Sequence, residues 1–233
     1  MISVAIAFLP EEKDKLTNCI SSVKNFADEI ITLELGKDVP FTPYVETLRN
    51  GMIDKCKGDW ILILDPDEQL SESLKIKLRE VVEENIYNAV NIPRKNIIFD
   101  KWISHSNWWP DQQIRFFKKG AVSWPDTIHT YPEVSGAILN LPVQESLAIL
   151  HFNYSSINEF IEKQNRYSTI EANNRLKSRE NFSWFKFFWW PIREFLVRYI
   201  KHFGFLDGIH GLVLVYLMMF YKMMVVVKMK EMK

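Results

Sequence analysis

Two cysteines in 233 residues, Cys19 and Cys56, are too few and too badly spaced for a disulfide framework or a thiolate metal site. Both fall in stretches with helical patterning, so they read as reduced structural thiols in a cytosolic setting. Eight glycines without a period exclude a collagen-like chain, and no internal repeat or low-complexity tract is visible. No glycine-rich loop follows the first apolar run, which counts against a nucleotidyltransferase built on a phosphate-cradling loop. The N-terminal stretch Met1 to Leu9 lacks the basic segment of a secretory signal and stops at Pro10, so it reads as a buried strand. Net charge is missing too, since 29 basic residues face 29 acidic ones.

That zero hides an asymmetry. From Phe182 to Lys233 there are 8 basic and 3 acidic residues, so this tail carries +5 and residues 1–181 carry −5. Fourteen of the 32 aromatic residues also lie in the tail. A basic, aromatic-rich segment suits a membrane surface, and the acidic body has no basic stripe for nucleic acid. With 47% apolar residues, the chain reads as one globular domain, residues 1–181, with a helical appendage, residues 182–233.

Along the body, apolar runs alternate with helical spacing. Residues 2–9 form a strand, and Leu16, Ile20, Val23 and Phe26 recur as on one face of a helix. Glu29–Leu33 is a second strand, a helix is expected near Val45–Lys57 with Gly58 as its cap, and Trp60–Leu64 is a strand buried on both faces. Strands separated by helices imply a parallel sheet, whose ligands gather at the strands' carboxyl ends. A helix follows from Ser71 to Asn85, then short strands at Ala89–Pro93, Asn96–Phe99, Gln113–Phe117 and Leu147–Phe152, and a polar helix from Ser156 to Arg179. The pattern is α/β.

Asp65-Pro66-Asp67-Glu68 follows Leu64, at the carboxyl end of the most apolar strand. Two carboxylates so close repel, and a divalent cation relieves the repulsion; Mg²⁺ or Mn²⁺ bridging a diphosphate is the matching chemistry. Alternatively Asp67 caps the helix beginning near Ser71. Asp111, in the loop Trp108-Trp109-Pro110-Asp111, is a candidate general base, or else a salt-bridge partner that orders the loop through Arg115. Gln113 and Arg115 share one face of the following strand, and Arg115 has the planar fork that suits a diphosphate. Trp108, Trp109 and Trp124 fit sugar stacking or the core equally well. His129 follows Trp124-Pro125-Asp126 and is a candidate third metal ligand or diphosphate contact, while His105, His151, His202 and His210 read as structural.

Taken together, Ile2–Ala7, Ala27–Ile31, Lys57–Glu68, Trp109–Phe117, Ile128-His129 and His151–Tyr154 resemble the inverting glycosyltransferases of family 2, most of all the branch that builds lipopolysaccharide core and other envelope glycans. The resemblance runs through nearly the whole chain to Gly204–Gly208. It implies a GT-A fold: a Rossmann-like, mixed, mainly parallel sheet flanked by helices, here followed by an amphipathic and hydrophobic helical tail. It also implies a nucleotide-diphosphate sugar donor held by Glu34, Asp38, Arg49, Asp65, Gln113 and Arg115, a Mg²⁺ or Mn²⁺ ion on Asp65, Asp67 and His129, an acceptor stacked on Trp108 and Trp109, and Asp111 as base. One departure is plain. Where such enzymes carry an Asp at the end of the second strand and another after a Ser/Gly-rich stretch, this chain has Glu34-Leu35-Gly36-Lys37-Asp38, and the helix and strand that normally precede the Arg49-Asn50 helix are missing.

In the tail, Ile192, Phe195, Leu196, Tyr199, Ile200 and Phe203 fall at helical spacing with Gly204 as a stop, and Gly211–Val227 contains only Lys222 as a charge. Seventeen residues are short of the roughly 20 that cross a bilayer, so an interfacial helix at the cytoplasmic face is expected, with a homodimer through the tail as the alternative. The acceptor then reads as a lipid-linked or envelope glycan. The rival function is a catalytically impaired scaffold or glycan-binding protein at the membrane.

Overall fold

The computed structural model describes residues 1–38, 46–124 and 132–233. They divide into two compact units, Met1–Lys95 with Asp111–His151, and Asn96–Pro110 with Phe152–Lys233. The boundary expected between residues 181 and 182 falls inside the second unit, which also takes in the polar helix before the tail and the Trp-Trp-Pro loop.

The first unit is built on a mixed sheet. Its strands are β1 (Ile2–Phe8), β2 (Glu29–Glu34), β3 (Trp60–Leu64), β4 (Glu68–Leu70), β5 (Ala89–Ile98, whose last three residues belong to the second unit), β6 (Lys101–Trp102, of the second unit), β7 (Asp111–Lys118), β8 (Val122–Ser123), β9 (Glu133–Val134), β10 (Ile138–Asn140) and β11 (Ile149–Tyr154). The order is β2-β1-β3-β7-β5-β11-β4, with β10 beside β5 and a separate β8-β9 pair. Pairing is parallel across β2-β1-β3, as the alternation with α1 (Lys13–Val23) and α2 (Glu46–Lys55) requires, and antiparallel from β3 to β7 and from β7 to β5. Every residue of β1 and β3 is buried, which explains their unbroken apolar runs. One side of the sheet packs Val4, Ile6, Leu62 and Leu64 with Leu16, Val23, Leu74 and Leu78 from α1 and α3 (Glu72–Glu84); the other packs Ala5, Ile61 and Ile63 with Met52 and Trp124.

Two local readings change and one open alternative is settled. Residues 89–98 form one strand rather than two, although Pro93, Arg94 and Lys95 interrupt the apolar run. Arg94 pairs with Asp111 across to β7, so its charge is met inside the sheet. Gly58 is not a cap: α2 ends at Lys55, and a Cβ on Gly58 would lie 2.7 Å from the backbone nitrogen of Ser3. Glycine is there because two strands' ends approach closely, and its N–H donates to Ser3 Oγ at 2.8 Å. Trp124, weighed as a sugar platform, is buried against Phe117. The helix start at Ser71 is as expected, with its hydroxyl accepting from the Leu74 N–H.

The second unit consists of the segment Asn96–Pro110 with the end of β5 and β6, the last three residues of β11, α4 (Ile157–Lys177), α5 (Trp184–Phe195), a π-helical continuation Leu196–Lys201, and α6 (Gly208–Glu231). Tyr154, Phe160, Leu214, Met218, Tyr221 and Val225 form its core. The helix was expected to stop at Gly204, but Phe203 takes the left-handed conformation, with φ of 53°, and ends it one residue earlier.

Candidate active site

Parallel pairing sets the carboxyl ends of β1, β2 and β3 at one edge, Phe8 beside Glu34 and Ile6 beside Leu64. Because β7 runs antiparallel to β3, its first residues arrive where β3 ends, and β5, antiparallel to β7, brings Arg94 opposite Asp111. Residues far apart in sequence therefore meet at one sheet edge.

They form an ionic cluster of three guanidiniums and three carboxylates. Asp65 Oδ2 accepts from Arg115 Nη2 at 2.6 Å, with Arg49 3.9 Å and Arg94 4.0 Å from its oxygens. Glu68, fully buried, takes Arg94 at 3.1 Å and Arg115 at 3.2 Å on Oε1, while its Oε2 accepts the Asp65 N–H at 2.9 Å. Asp111 Oδ2 is held by Arg94, with Nη2 at 2.6 Å and Nε at 2.8 Å, and Gln113 Nε2 donates to Asp111 Oδ1 at 2.8 Å. Burial alone would raise the Asp65 carboxyl, but Arg115, Arg49 and Arg94 overcome it and hold it well below the usual carboxylate range. Burial likewise acts to discharge Arg94 and Arg115, and the facing carboxylates raise both instead. Asp65, Arg94 and Arg115 therefore stay charged at neutral pH.

Asp111 was weighed as a partner of Arg115; it pairs with Arg94, and Arg115 belongs to Asp65 and Glu68. Arg94 and Glu68 had not been singled out as site residues. Their signal was present only as a conflict: a charge inside a strand pattern at Arg94, and a third acid immediately after Asp65-Pro66-Asp67 at Glu68. Asp67 does not cap the following helix, a role Ser71 fills; it is buried and its Oδ1 lies 3.5 Å from His151 Nε2. Gln69 pairs along β4 with Leu150 of β11. Glu34 and Asp38 close the turn after β2 on themselves, with Asp38 Oδ2 accepting from the Glu34 N–H at 2.8 Å.

Two of the three expected cation ligands, Asp65 and Asp67, lie among the described residues. Among the described residues, no three His, Cys, Asp or Glu side chains come together to hold a metal ion, and the charge of Asp65 is already met by guanidiniums. His129, the third expected ligand, lies outside the described residues. What the cluster offers is donors: Arg115, 2% exposed, has Nε and Nη1 without hydrogen-bond partners, whereas Asp65 and Asp111 keep 25% and 26% of their side-chain surface open. Those two N–H groups are themselves shut off from solvent, so a ligand reaching this edge meets the two carboxylates and the partly open guanidiniums of Arg49 and Arg94. Behind the site, burial pushes the Cys19 thiol far up and Cys56 up to about 11, so both thiols are protonated and inert, as expected for structural cysteines.

Trp108 and Trp109 lie in the second unit. Trp108 is edge-on to Tyr154 with Arg198 over its ring, and Trp109 is edge-on to Trp102. His105 Nδ1 lies 3.3 Å from Asp207, a structural contact as expected.

No family model matches the chain. Among curated proteins, an uncharacterized glycosyltransferase of Rickettsia typhi is 26% identical over 228 residues, covering 84% of this chain and 77% of the relative. The lipopolysaccharide core biosynthesis glycosyltransferase LpsC of Rhizobium meliloti is 22% identical over 175 residues, covering 71% and 64%. Among solved structures, S. aureus TarS superposes with a TM-score of 0.42 at 10% identity, over 74% of this chain and 40% of that one. The similarity to the Rickettsia protein spans both units and includes the strands that carry the ionic cluster. Over most of its length the chain is thus similar to bacterial proteins named glycosyltransferases, and its sheet is mixed, with a parallel part flanked by helices.

Proposed function

We propose that the chain is an inverting transferase that moves a sugar from a nucleotide-diphosphate sugar to a lipid-linked or envelope glycan at the cytoplasmic face of a membrane. The observation that carries this reading is the cluster at the carboxyl end of β3, where three guanidiniums and an accessible carboxylate, Asp111, stand at one sheet edge. Asp111 takes the proton of the acceptor hydroxyl as its oxygen bonds to the anomeric carbon, and the bond from that carbon to the diphosphate breaks on the opposite face. Arg94 and Gln113 orient Asp111 through both of its oxygens. Negative charge developing on the departing diphosphate is met by Arg115, Arg94 and Arg49, already fixed in place by Asp65 and Glu68. Glu34 and Asp38 are the candidate contacts for base and ribose, and Trp108 and Trp109 for the acceptor. The lipid-linked acceptor is taken from the resemblance, from what LpsC is named for, and from the tail, whose α6 is long and apolar enough to cross a membrane by length and composition.

One observation favours the scaffold reading. The turn Glu34–Asp38 satisfies its own polar groups, so it offers the ribose less than an open acidic loop would. A thermal-shift series with UDP, GDP, CDP and dTDP separates the two. The enzyme reading predicts that one of them raises the melting temperature, because a ligand that binds only the folded state stabilises it by about 2.7 kcal/mol at a hundredfold excess over Kd. Since the guanidiniums supply the positive charge, most of that shift persists in chelator. A shift seen only with Mn²⁺ or Mg²⁺ would restore the cation on Asp65 and Asp67, and no shift with any nucleotide would favour the scaffold.

A further inference from the structure

The second unit carries a large unpartnered apolar surface. On α5 and its continuation, Phe185, Phe188, Trp189, Ile192, Leu196 and Ile200 recur at three- and four-residue spacing, and all are exposed, Phe185 to 70% and Phe188 to 62%. Phe203, Phe205, Leu206 and Ile209 extend the surface around the turn into α6. Charge says what covers it. Between Phe182 and His210 the acids are Glu194 and Asp207, and both are buried: Glu194, 7% exposed, pairs with Arg198, and Asp207, 3% exposed, accepts from Ser104 and His105. The exposed charges of the same segment, Arg193 and Lys201, are therefore cationic. A twofold contact with a second copy would set this all-positive surface against itself. A bilayer with anionic headgroups accepts both the Trp and Phe rings and the cations beside them.

The obvious membrane element is α6, yet its environment argues against a crossing. Along one side it is bound to the polar helix α4: Lys222 Nζ lies 3.2 Å from Glu171 Oε1, the Tyr221 hydroxyl donates to Glu171, and Lys228 Nζ reaches Ser168 at 2.9 Å and Thr169 at 2.8 Å. To span the hydrocarbon, α6 would either abandon these partners or take α4, with its Glu, Asn, Lys and Arg side chains, into lipid. The turn between α5 and α6 is also tightly closed, since a Cβ on Gly211 would lie 2.0 Å from the Gly204 carbonyl oxygen.

We infer that α5 and the following turn form an in-plane docking surface for an anionic bilayer, with α6 lying along the membrane rather than through it. This rests on the membrane reading proposed above and states which element makes the contact. It is tested with the full chain by flotation on phosphatidylcholine vesicles with and without about one-third phosphatidylglycerol. The expected result is flotation of wild type with the anionic vesicles, at least tenfold weaker partitioning of the variant Phe185→Ser/Phe188→Ser/Trp189→Ser/Ile192→Ser, and a loss of about fivefold for each of Arg193→Gln and Lys201→Gln. Because the replaced residues are exposed, the melting temperature of each variant should match the wild type. A cysteine placed by Met232→Cys, against buried Cys19 and Cys56, should remain open to a membrane-impermeant maleimide when bound. If the stripe variant floats as well as wild type, or Cys at 232 becomes protected, the α5 surface is wrong while membrane binding stands. If wild type does not float and instead forms a dimer that the stripe variant dissolves, the occupant is a second copy and both readings fall.

Discussion

Replacing Asp111 by Asn should lower turnover by roughly 10² to 10⁴-fold while leaving nucleotide-diphosphate affinity nearly unchanged. The amide keeps the shape of the carboxylate and can accept from Arg94 at the place Oδ2 occupies, with Gln113 turned to present its Oε1 to the new NH2, but it cannot take a proton from the acceptor. Its partner is Arg94, not Arg115, and this decides how the experiment reads. Arg94 retains Glu68 at 3.1 Å when the Asp111 charge is removed, so the guanidiniums proposed to meet the diphosphate should stay in place and the variant should fold. Kinetics at saturating donor, with a melting curve and a binding isotherm on the same protein, check this. A kcat within a few-fold of wild type, accompanied by weakened donor binding, would make Asp111 a positioning residue for Arg94 and leave the base unassigned.

The largest effect on stability is expected at Glu68. It is fully buried and joins Arg94 and Arg115 to the backbone of Asp65. Glu68→Ala leaves two buried guanidiniums with only Asp65 and Asp111 to balance them, and breaking a buried ion pair on one side costs about 3–5 kcal/mol. For a chain of this size that corresponds to a fall in melting temperature of roughly 6 to 20 °C. A control separates charge from packing. If the loss is uncompensated charge, adding Arg115→Leu to Glu68→Ala should return part of the stability although it removes a second large side chain. Calorimetry or circular dichroism showing an additive, still lower melting point for the double variant would place Glu68 as packing rather than as counter-charge.

How much of this was legible in the chain follows from what each signal depends on. The strands β1 and β3 are read directly, because burial on both faces demands an unbroken apolar run, and the helix beginning after Ser71 announces its cap. The strand β4 is not, since Glu68-Gln69-Leu70 is short and two of its three residues are polar; it exists because it pairs with Ile149–His151 from the far end of the unit. The length of β5 was hidden for the same reason that made its site residue hard to see. Pro93-Arg94-Lys95 looks like a break until Asp111, seventeen positions away, is known to face Arg94. Asp65 and Asp67 were legible as a pair of charges at a strand end, but sequence proximity suggested a shared ligand, and the fold instead gives Asp65 to arginines from α2, β5 and β7 and turns Asp67 toward His151. Local spacing shows which groups need compensation. Only topology shows what compensates them.

The central claim is that this ionic edge performs inverting glycosyl transfer, and the most direct measurement is the anomeric configuration of the product. Full-length protein with a nucleotide-diphosphate sugar of known α configuration and a lipid-linked glycan acceptor should yield, by proton NMR of the released glycan, a β linkage, as a single displacement with Asp111 as base requires. A product that retains the α configuration, or the absence of any transfer by a protein that binds nucleotide, would contradict it.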